Sequence, residues 1–297
     1  MVEQTSEEPK ALVCRDQITI HGSASSTGNG LKGFIMSAFR FIFLSVALVT
    51  SSASWGWGQT GHRITGEIAQ SRINGKTAAE IEMILGNQGL AETTTWPDEQ
   101  RSNAEPFWQK DANPWHYVTL PSGKQPSELV SPAEGDALTA LERFAAVVRD
   151  RKKPRDERAL ALRFIIHIIG DLHQPLHVGN GTDRGGNDIK VTWFGEQSNL
   201  HSVWDSGMID RQGMSFTEYT DRLERRLTAE QTIAWWDARP QTWIGESATL
   251  RDGLYPATSE QPVALGYAYQ FRHLPTVETR LAQSGVRIAA YLDALFK

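Results

Sequence analysis

The stretch of sequence that decides the fold is residues 160–177, which read LALRFIIHIIGDLHQPLH. Residues 160–172 are strongly apolar, which is typical of a helix buried within a protein core. Pro175 predicts the end of this helix, because proline removes a backbone donor that a helix interior needs. His167 and Asp171 lie four residues apart and therefore share one face of the helix. The stretch predicts a central buried helix that carries a polar pair.

Further helices are predicted on both sides of this stretch. Four segments space their apolar residues three and four positions apart, which is the period of one helix face. These segments are residues 64–73, 79–85, 138–148 and 286–296. Gly86 directly follows the second segment, and glycine is typical of the position after a helix end. Helices therefore dominate the prediction.

One segment predicts β structure. Residues 188–194 alternate between polar and apolar side chains and end at Gly195, which is the pattern of a strand that enters a tight turn. The alternation predicts a small hairpin near residues 186–200. We therefore expect a mainly α fold, a single domain of packed helices over residues 55–297 with one small β-hairpin.

The composition is that of an ordinary globular protein. The chain has 297 residues, of which 40% are hydrophobic and 22% charged, and these values exclude wholesale disorder, collagen and repeat arrays. The net charge of −5 argues against a broad basic surface that binds duplex nucleic acid through its phosphates. A nucleic acid substrate held by metal ions stays compatible with this charge.

The beginning of the chain has the pattern of a secretory signal peptide. The apolar run at residues 41–49 follows the basic residues Lys32 and Arg40 and precedes the small residues 51–54. The run is too short to cross a membrane, which takes about 20 apolar residues, and the alternative is a buried strand. The pattern predicts cleavage after Ser54 and a secreted or periplasmic protein without a membrane anchor.

The leader divides into two parts in this interpretation. Residues 36–54 form the signal peptide, because Met36 stands where such a peptide begins, and residues 1–35 are a disordered upstream extension. The single cysteine, Cys14, lies in the extension. The domain at residues 55–297 therefore forms no disulfide and must be stabilised by its core or by metal ions. Nothing in the sequence predicts more than a monomer.

Histidine and aspartate residues recur at the spacing of metal ligands. His167 and Asp171 form one pair, and His201 and Asp205 form a second pair, also four residues apart on a predicted helix. His177 lies beyond the central helix, where it can turn towards the first pair. Neutral imidazole and carboxylate groups bind zinc in catalytic sites. A single histidine is more often a capping or core residue, but such a cluster in apolar surroundings predicts a metal site.

Six motifs occur in order along the chain and carry a family resemblance. They are WGWGQTGH at 55–62, WPDEQR at 96–101, WHY at 115–117, HIIGDLHQPLH at 167–177, GGN at 185–187 and NLHSVWD at 199–205. Together they resemble the zinc-dependent, single-strand-specific nucleases and 3′-nucleotidases of the S1/P1 type. Residues 285–289, GVRIA, are similar to the last helix of that family. The cysteine-free domain departs from the disulfide-bonded fungal and plant members, and it suits a bacterial member.

The resemblance implies a mainly helical fold with three zinc ions in a cleft. It assigns Asp98, His116, His167 and Asp171 to the first ion, Trp55, His62 and Asp171 to the second, and His177, His201 and Asp205 to the third. Trp55 would bind through its α-amino nitrogen and its carbonyl oxygen, and the amine is free only after cleavage behind Ser54. Asp171 would bridge the first two ions.

The resemblance also implies how the site acts on a phosphodiester. Three Zn²⁺ ions and three aspartates leave a local excess of about three positive charges, which attracts a phosphate. Two zinc ions bridged by one carboxylate activate a water for attack on phosphorus. Asp98 and Asp171 hold these ions, and Arg101 would donate a hydrogen bond to a phosphate oxygen in the transition state. The alternative for Arg101 is a surface salt bridge.

Two further residues are predicted to contact the substrate. Tyr117 matches a position where the family stacks an aromatic ring on a base, and stacking favours unpaired strands. The alternative is that Tyr117 is a core residue. Asn187 is predicted to be a substrate-loop or base-contacting residue. His173 is expected to support the ligands and not to bind metal itself.

These expectations define the predicted function and its alternatives. The protein is expected to hydrolyse single-stranded DNA and RNA to 5′-nucleotides and to act on 3′-nucleotides. A zinc-dependent phospholipase C is the first alternative, although its third site usually ends in Glu where this chain has Asp205. A non-catalytic periplasmic zinc-binding protein is the second, and Arg101 argues against it.

Overall fold

The computed structural model of the chain describes residues 56–258 and 260–297. The predictions made for residues 1–55 lie outside the described residues. These predictions are the upstream extension, the signal peptide with its cleavage point, and the role of Trp55 as a ligand. Within the described ranges, no helix combines the length and the apolar character needed to cross a membrane.

Helices dominate the described residues, which confirms the predicted fold class. The α-helices are α1 (Gln59–Gln70), α2 (Gly75–Leu85), α3 (Leu90–Glu99), α4 (Ala137–Arg149), α5 (Arg155–Asp171), α6 (Leu200–Ser202), α7 (Met208–Asp210), α8 (Phe216–Glu224), α9 (Ala229–Trp235), α10 (Pro240–Arg251) and α11 (Tyr267–Leu295). Short 3₁₀ turns lie at Gln100–Ser102, Asn113–His116, Pro126–Glu128 and Pro175–His177. Turns of π helix lie at Phe107–Asp111 and Val203–Gly207.

Local side-chain chemistry explains where two of the predicted helices begin and end. The Asn74 side chain accepts a hydrogen bond from the backbone nitrogen of Thr77 at 3.0 Å and so caps the start of α2. Helix α2 stops at Gly86, whose φ of +71° suits glycine. Asp136 caps α4 by accepting a hydrogen bond from the backbone nitrogen of Thr139 at 2.9 Å. Both predicted helices are confirmed.

Five short strands form two small sheets in the described chain. They are β1 (Val118–Thr119), β2 (Val178–Gly179), β3 (Lys190–Trp193), β4 (Glu196–Asn199) and β5 (Val263–Leu265). β1 pairs with β2 in parallel, and the other sheet has the order β4-β3-β5. The antiparallel β3–β4 pair confirms the predicted hairpin. Its two-residue turn, Phe194 and Gly195, has φ values of +50° and +92°, which match the twist of the strands.

Helix α5 lies at the centre of the fold. Ile165, Ile166 and Ile168 are fully buried, and α5 packs against α3, α4 and α11. Helix α1 packs against α3, α8 and α11. Because α1, α3 and α5 are mutual neighbours, the polar side chains that they turn inward meet in one place.

The helices α1, α2, α4, α5 and α11 all begin earlier than their apolar patterns indicated, and α1 ends at Gln70, before Ile73. The starts of α5 and α11 show the reasons. Helix α5 begins at Arg155 and not at Leu160, because its first turn is polar and carries acidic residues that favour a helix start. Helix α11 begins at Tyr267 and not near residue 286, and it continues through Pro275. The fully buried Val277 and other apolar side chains of α11 offset the hydrogen bond that the proline removes.

The predicted helix through His201 and Asp205 is interrupted. His201 lies on α6, and Asp205 lies on the π turn that follows. The wider π turn changes the angle between the two residues, but the backbone stays helical. Their side chains consequently still point to the same side.

Candidate metal centre

The predicted ligands come together although they belong to separate elements. His62 lies on α1, Asp98 lies on α3, and His167 and Asp171 lie on α5. The remaining four lie on short helical elements: His116 and His177 on 3₁₀ turns, His201 on α6, and Asp205 on the π turn after it. Each of these eight side chains belongs to a residue that is at most 3% exposed. Burial of so many ionisable groups is unfavourable unless they are paired or bind cations.

Three sets of side chains each place their ligand atoms within 4.8 Å of one another. The sets are Asp98, His116 and His167; His62, His167 and Asp171; and His177, His201 and Asp205. The third set has the same members that the resemblance assigned to the third ion. The first set lacks Asp171, which the resemblance assigned to that ion, and the second set contains His167 in addition to the implied His62 and Asp171. The sets match the donor types that zinc prefers.

The two carboxylate oxygens of Asp171 face different histidines. Oδ2 lies 3.0 Å from Nδ1 of His116 and 3.0 Å from Nε2 of His167. Oδ1 lies 3.2 Å from Nε2 of His62. One carboxylate thus joins the first two sets, which is the arrangement in which a carboxylate bridges two metal ions.

The third set is built around Asp205. Its Oδ2 lies 3.1 Å from Nε2 of His201, and that nitrogen lies 3.2 Å from Nε2 of His177. The other oxygen, Oδ1, accepts a hydrogen bond from Nε2 of Gln174 at 2.5 Å. Gln174 therefore orients the carboxylate and leaves Oδ2 directed towards the imidazoles.

Backbone carbonyl groups orient three of the imidazole rings. His167 Nδ1 donates a hydrogen bond to the carbonyl oxygen of Thr94 at 2.7 Å, and His177 Nδ1 donates to that of His116 at 2.6 Å. His201 Nδ1 donates to another backbone carbonyl at 2.6 Å. With Nδ1 as the donor, Nε2 of a neutral imidazole presents its lone pair to the centre. These contacts favour the tautomer in which Nε2 faces the centre and could bind a metal ion.

Two glycines make room for the ligands. A Cβ atom at Gly56 would overlap the carboxylate of Asp171 and would lie 2.8 Å from Nε2 of His62. A Cβ atom at Gly170 would lie 2.9 Å from Nδ1 of His62. Both positions need glycine because the backbone itself passes against the ligand side chains.

The buried polar atoms of the centre fit a bound cation. Within the described chain, both ring nitrogens of His62 and Oδ1 of Asp171 form no hydrogen bond. A buried polar group without a hydrogen bond costs about 1–3 kcal/mol. A cation held between these atoms would remove that cost. The mixture of imidazole nitrogen and carboxylate oxygen suits Zn²⁺ better than Mg²⁺ or Ca²⁺, which prefer oxygen ligands.

Burial and mutual charge shift the pKa values of the ligands. Burial and the positive charge of Arg101 lower the pKa of His116 to about 4, so its imidazole is neutral near pH 7. Burial opposes the charged form of His167, but Asp171 and Asp98 outweigh it and raise the pKa to about 9. Burial raises the pKa of Asp205 above its usual value. A cation that binds His167 near pH 7 must therefore displace a proton.

Arg101 lies at the edge of the centre. Its Nε is 3.1 Å from Oδ1 of Asp98, and its side chain is 15% exposed. The guanidinium is thus held beside the first set at a point that solvent reaches. An anion that approaches the centre from solvent would meet this positive charge.

The two other predicted substrate contacts differ in accessibility. Tyr117, which directly follows His116, is 41% exposed, and the alternative that it is a core residue is wrong. Asn187 is buried, and its Nδ2 donates a hydrogen bond to the carbonyl oxygen of Arg184 at 2.9 Å. Tyr117 presents its ring to solvent, whereas the side-chain amide of Asn187 is hydrogen-bonded to the backbone of its own loop.

His173 lies behind the ligands and not among them. Its Nδ1 donates a hydrogen bond to the carbonyl oxygen of Ile169 at 2.7 Å, and its Nε2 lies 3.2 Å from Nη1 of Arg287. Burial and the charges of Arg280 and Arg287 hold its pKa well below the usual value. His173 is therefore neutral and contacts the helices that support the centre.

Several residues that build the centre were not predicted from the sequence, among them Gly56, Thr94 and Gln174. Gln174 stands between two ligands in the HIIGDLHQPLH motif, and that position could have identified it. Thr94 carries no such local signal, because its contact with His167 joins positions far apart in the chain. Gly56 follows Trp55 directly, but only the folded chain brings it against Asp171.

The fold and the site together define a class of protein. A buried cluster of imidazole and carboxylate groups with a bridging carboxylate, set in a helical scaffold, is typical of metal-dependent hydrolases. A family model described as S1/P1 Nuclease matches residues 57–297. The chain belongs to the S1/P1 nuclease family and is a hydrolase of the nuclease type.

Individual relatives align over nearly their whole length. Nuclease S1 of Aspergillus oryzae is 30% identical over 86% of this chain and 98% of its own. Endonuclease 4 of Arabidopsis thaliana is 29% identical over 88% of this chain and 96% of its own. The solved Clostridium perfringens alpha-toxin aligns with a TM-score of 0.40 and 13% identity, over 82% of this chain and 64% of that one.

Proposed function

We propose that this chain is a zinc-dependent phosphodiesterase that hydrolyses single-stranded DNA and RNA to 5′-nucleotides and also removes the phosphate of 3′-nucleotides. The observation that carries the proposal is the carboxylate of Asp171, whose oxygens lie 3.0–3.2 Å from histidines of two different sets. Such a carboxylate suits two metal ions acting on one phosphate. Membership of the S1/P1 nuclease family supports the nuclease activity.

Three zinc ions would take the donor atoms of the three sets. Asp98, His116, His167 and Asp171 would hold one, His62, Asp171 and Trp55 another, and His177, His201 and Asp205 the third. When bound, the ions would supply Lewis-acid stabilisation of the phosphate and would lower the pKa of an attacking water. The aspartates offset only part of the zinc charge, so the centre would attract a phosphodiester although the whole chain carries a net charge of −5.

The chain's own residues then position and stabilise the substrate. Arg101 would donate a hydrogen bond to a phosphate oxygen on which negative charge increases in the transition state. The exposed ring of Tyr117 would stack on a base, which is possible only where that base is not stacked within a duplex. Asn187 would shape the substrate loop, whose Gly185 carbonyl accepts the hydrogen bond from His201.

Zinc stoichiometry and strand-selective cleavage, measured on the same preparation, test the proposal. The preparation should begin at Trp55, and the substrates are a single-stranded oligonucleotide, its duplex and a 3′-nucleotide. We expect three zinc ions per chain, chelator-sensitive cleavage that is far faster on the single strand, and phosphate release from the nucleotide. His201→Gln should lose zinc. His273→Gln, at a buried histidine near Trp204 and outside the three sets, should retain it.

Three results would contradict the proposal. Three zinc ions with hydrolysis of phosphatidylcholine, and none of nucleic acid, would favour a phospholipase C. Three zinc ions without hydrolysis of any phosphodiester would favour a zinc-binding protein without catalysis. Fewer than two zinc ions would remove the metal centre on which the mechanism depends.

Processing of the leader forms part of the proposal. We propose that the protein is exported, is cleaved after Ser54 and acts as a secreted or periplasmic monomer. The close approach of Gly56 to Asp171 and His62 supports a ligand role for the preceding residue, Trp55. A form that retains residues before Trp55 should bind one zinc ion fewer and be nearly inactive. Equal activity of the trimmed and extended forms would exclude the amine as a ligand.

A further inference from the structure

Residues 172–176 connect Asp171, which belongs to the second set and faces the first, to His177 of the third set. The stretch follows Asp171 at the end of α5 and precedes His177. Within it, Gln174 Nε2 donates a hydrogen bond to Oδ1 of Asp205 at 2.5 Å, and Gln174 Oε1 accepts one from a backbone amide at 2.6 Å. Any shift of this stretch would therefore change the placement of ligands in more than one set.

Two helices hold the same stretch from behind. Ser247 on α10 donates a hydrogen bond from Oγ to the carbonyl oxygen of Leu172 at 2.6 Å. Arg280 on α11 donates from Nε to the carbonyl oxygen of His173 at 3.1 Å. Carbonyl groups at the carboxyl end of a helix have no partner within that helix. Ser247 and Arg280 thus satisfy carbonyl groups that directly follow the bridging carboxylate.

The Arg280 guanidinium belongs to a buried charged network. Arg280 is 1% exposed, and its Nη1 and Nη2 donate hydrogen bonds to Glu246 Oε2 at 2.6 Å and to Ser247 Oγ at 2.7 Å. Arg287, also on α11 and 2% exposed, donates two hydrogen bonds to the Glu246 carboxylate at 2.5 and 2.7 Å. One carboxylate therefore serves two buried guanidinium groups.

Such a network is a poor means of stabilising a fold. Well-packed apolar residues of similar volume often stabilise a core as well as a buried ion pair does, or better. A guanidinium differs from an apolar side chain because it directs several donors at fixed angles. The donors of Arg280 reach a carboxylate, a hydroxyl and a backbone carbonyl at once. This geometry suits the placement of a backbone segment.

We propose that Arg280, Ser247 and Glu246 are positioning residues for the metal centre. They fix the turn after Asp171 and thereby set the separation between the bridging carboxylate, His177 and, through Gln174, Asp205. The inference rests on the proposed function, because it concerns the same ligands. Ser247 and Arg280 act on the reaction only through the turn that they hold, and Glu246 acts through the Arg280 guanidinium.

Helix α11 also provides a matched control. Glu278 lies on the same helix, and its carboxylate likewise pairs with two arginines, Arg222 and Arg226. Its hydrogen bonds with Tyr219, Arg222 and Arg226 join α11 to the region of α8, away from residues 172–176. Glu278→Gln should therefore lower stability in the way that any lost ion pair does, without affecting the metal centre.

The test compares holoenzyme variants by kcat, KM, melting temperature and zinc retained against a competing chelator. We expect Arg280→Met to lower kcat at least tenfold well below its melting temperature, with KM within twofold and at least one zinc ion lost more readily. Ser247→Ala should lower kcat three- to fivefold, and Arg280→Lys should retain more activity than Arg280→Met. Glu278→Gln should keep kcat and zinc within twofold of the unaltered enzyme.

Chemical rescue separates positioning from general stability. An open surface cavity of about 790 Å³ includes Glu246 and Arg280 in its lining, which gives a small cation a route towards the space that Arg280→Ala creates. Millimolar methylguanidinium should raise the kcat of Arg280→Ala at least threefold and leave Glu278→Gln unchanged. If Arg280 only stabilises the fold, methylguanidinium should not raise the kcat of folded Arg280→Ala.

Each result decides for or against the inference. Melting temperatures that fall while kcat and zinc retention stay constant in the Arg280 and Ser247 variants would overturn it. If the Arg280 variants do not fold, Ser247→Ala decides alone, because it removes a single hydroxyl. An unaltered enzyme that hydrolyses no phosphodiester would instead remove the proposed function, which is a different outcome.

Discussion

Gly56 lies so close to Asp171 that a Cβ atom at position 56 would overlap the carboxylate. Gly56→Ala must therefore displace either the backbone or the residue that joins two ligand sets. A displacement of about 1 Å at a catalytic group costs roughly 100-fold in rate. We expect kcat to fall by about that factor and zinc content to fall by one ion per chain, measured by steady-state kinetics and metal analysis.

Gly75→Ala is the matched control for this substitution. Gly75 is the first residue of α2, and apart from its chain neighbours and the backbone of its own helix no atom lies within 4 Å of the position that its Cβ would occupy. Alanine should be neutral there or stabilise the helix by up to about 1 kcal/mol. Normal activity and full zinc content in Gly56→Ala would show that the close approach has no functional consequence.

Replacement of Arg101 should reduce the rate without removing metal. Its Nε lies 3.1 Å from Oδ1 of Asp98, and the side chain is partly open to solvent. Loss of one donor that stabilises transition-state charge costs about 10²–10³ in kcat. We expect Arg101→Gln to lose activity in that range and to keep its zinc, as shown by parallel kinetics and metal analysis. Arg184→Gln is the control, because Arg184 forms an exposed ion pair with Asp188. It should leave both kcat and zinc content unchanged.

Tyr117 should contribute to affinity for single strands through its ring. Stacking of a base on an aromatic side chain is worth about 1–3 kcal/mol, which corresponds to roughly a 5- to 150-fold rise in KM when the ring is removed. Tyr117→Ala should show this rise on an oligonucleotide, and Tyr117→Phe should not. Trp236→Ala is the control, because Trp236 is 42% exposed and Tyr117 is 41% exposed. An unchanged KM in Tyr117→Ala would contradict the stacking role.

Removal of zinc should destabilise the protein. Without a cation, the buried atoms of His62 and Asp171 are left without hydrogen bonds. A site occupied at 1,000 times its Kd contributes about 4 kcal/mol, and each kcal/mol shifts Tm by roughly 2–4 °C in a domain of this size. We expect a chelator to lower Tm by about 10 °C or more in calorimetry. Zinc should restore Tm, and magnesium should not, because Mg²⁺ prefers oxygen ligands.

Much of the helical scaffold follows from local pattern. The apolar run ahead of Asp171 predicted α5 at the centre, and the alternation before Gly195 predicted the hairpin. Both features depend on side chains a few positions apart, which is the range over which periodicity works. The start of α11 at Tyr267 was not predicted, because Pro275 interrupts the pattern and only packing compensates for it.

For the candidate site as well, the sequence predicted the residue types but not their arrangement in space. Residue type and spacing predicted part of the ligand set, because zinc chemistry restricts the donor atoms and a helix fixes the i, i+4 relation. These candidates are His167, Asp171, His177, His201 and Asp205. His62, Asp98 and His116 were assigned only through the family resemblance. Their function as ligands stays a prediction for the zinc measurements. Local spacing could not reveal that Asp171 faces His62 with one oxygen and His167 with the other.

The supporting contacts exist only in the folded chain. Gly56 meets Asp171, Thr94 meets His167, and Arg280 meets His173 across wide separations in sequence. Such contacts arise where helices pack, and packing depends on the whole set of apolar faces and not on any one segment. Composition and spacing can therefore predict the chemistry of the centre, whereas its geometry is set by how α1, α5, α10 and α11 fit together.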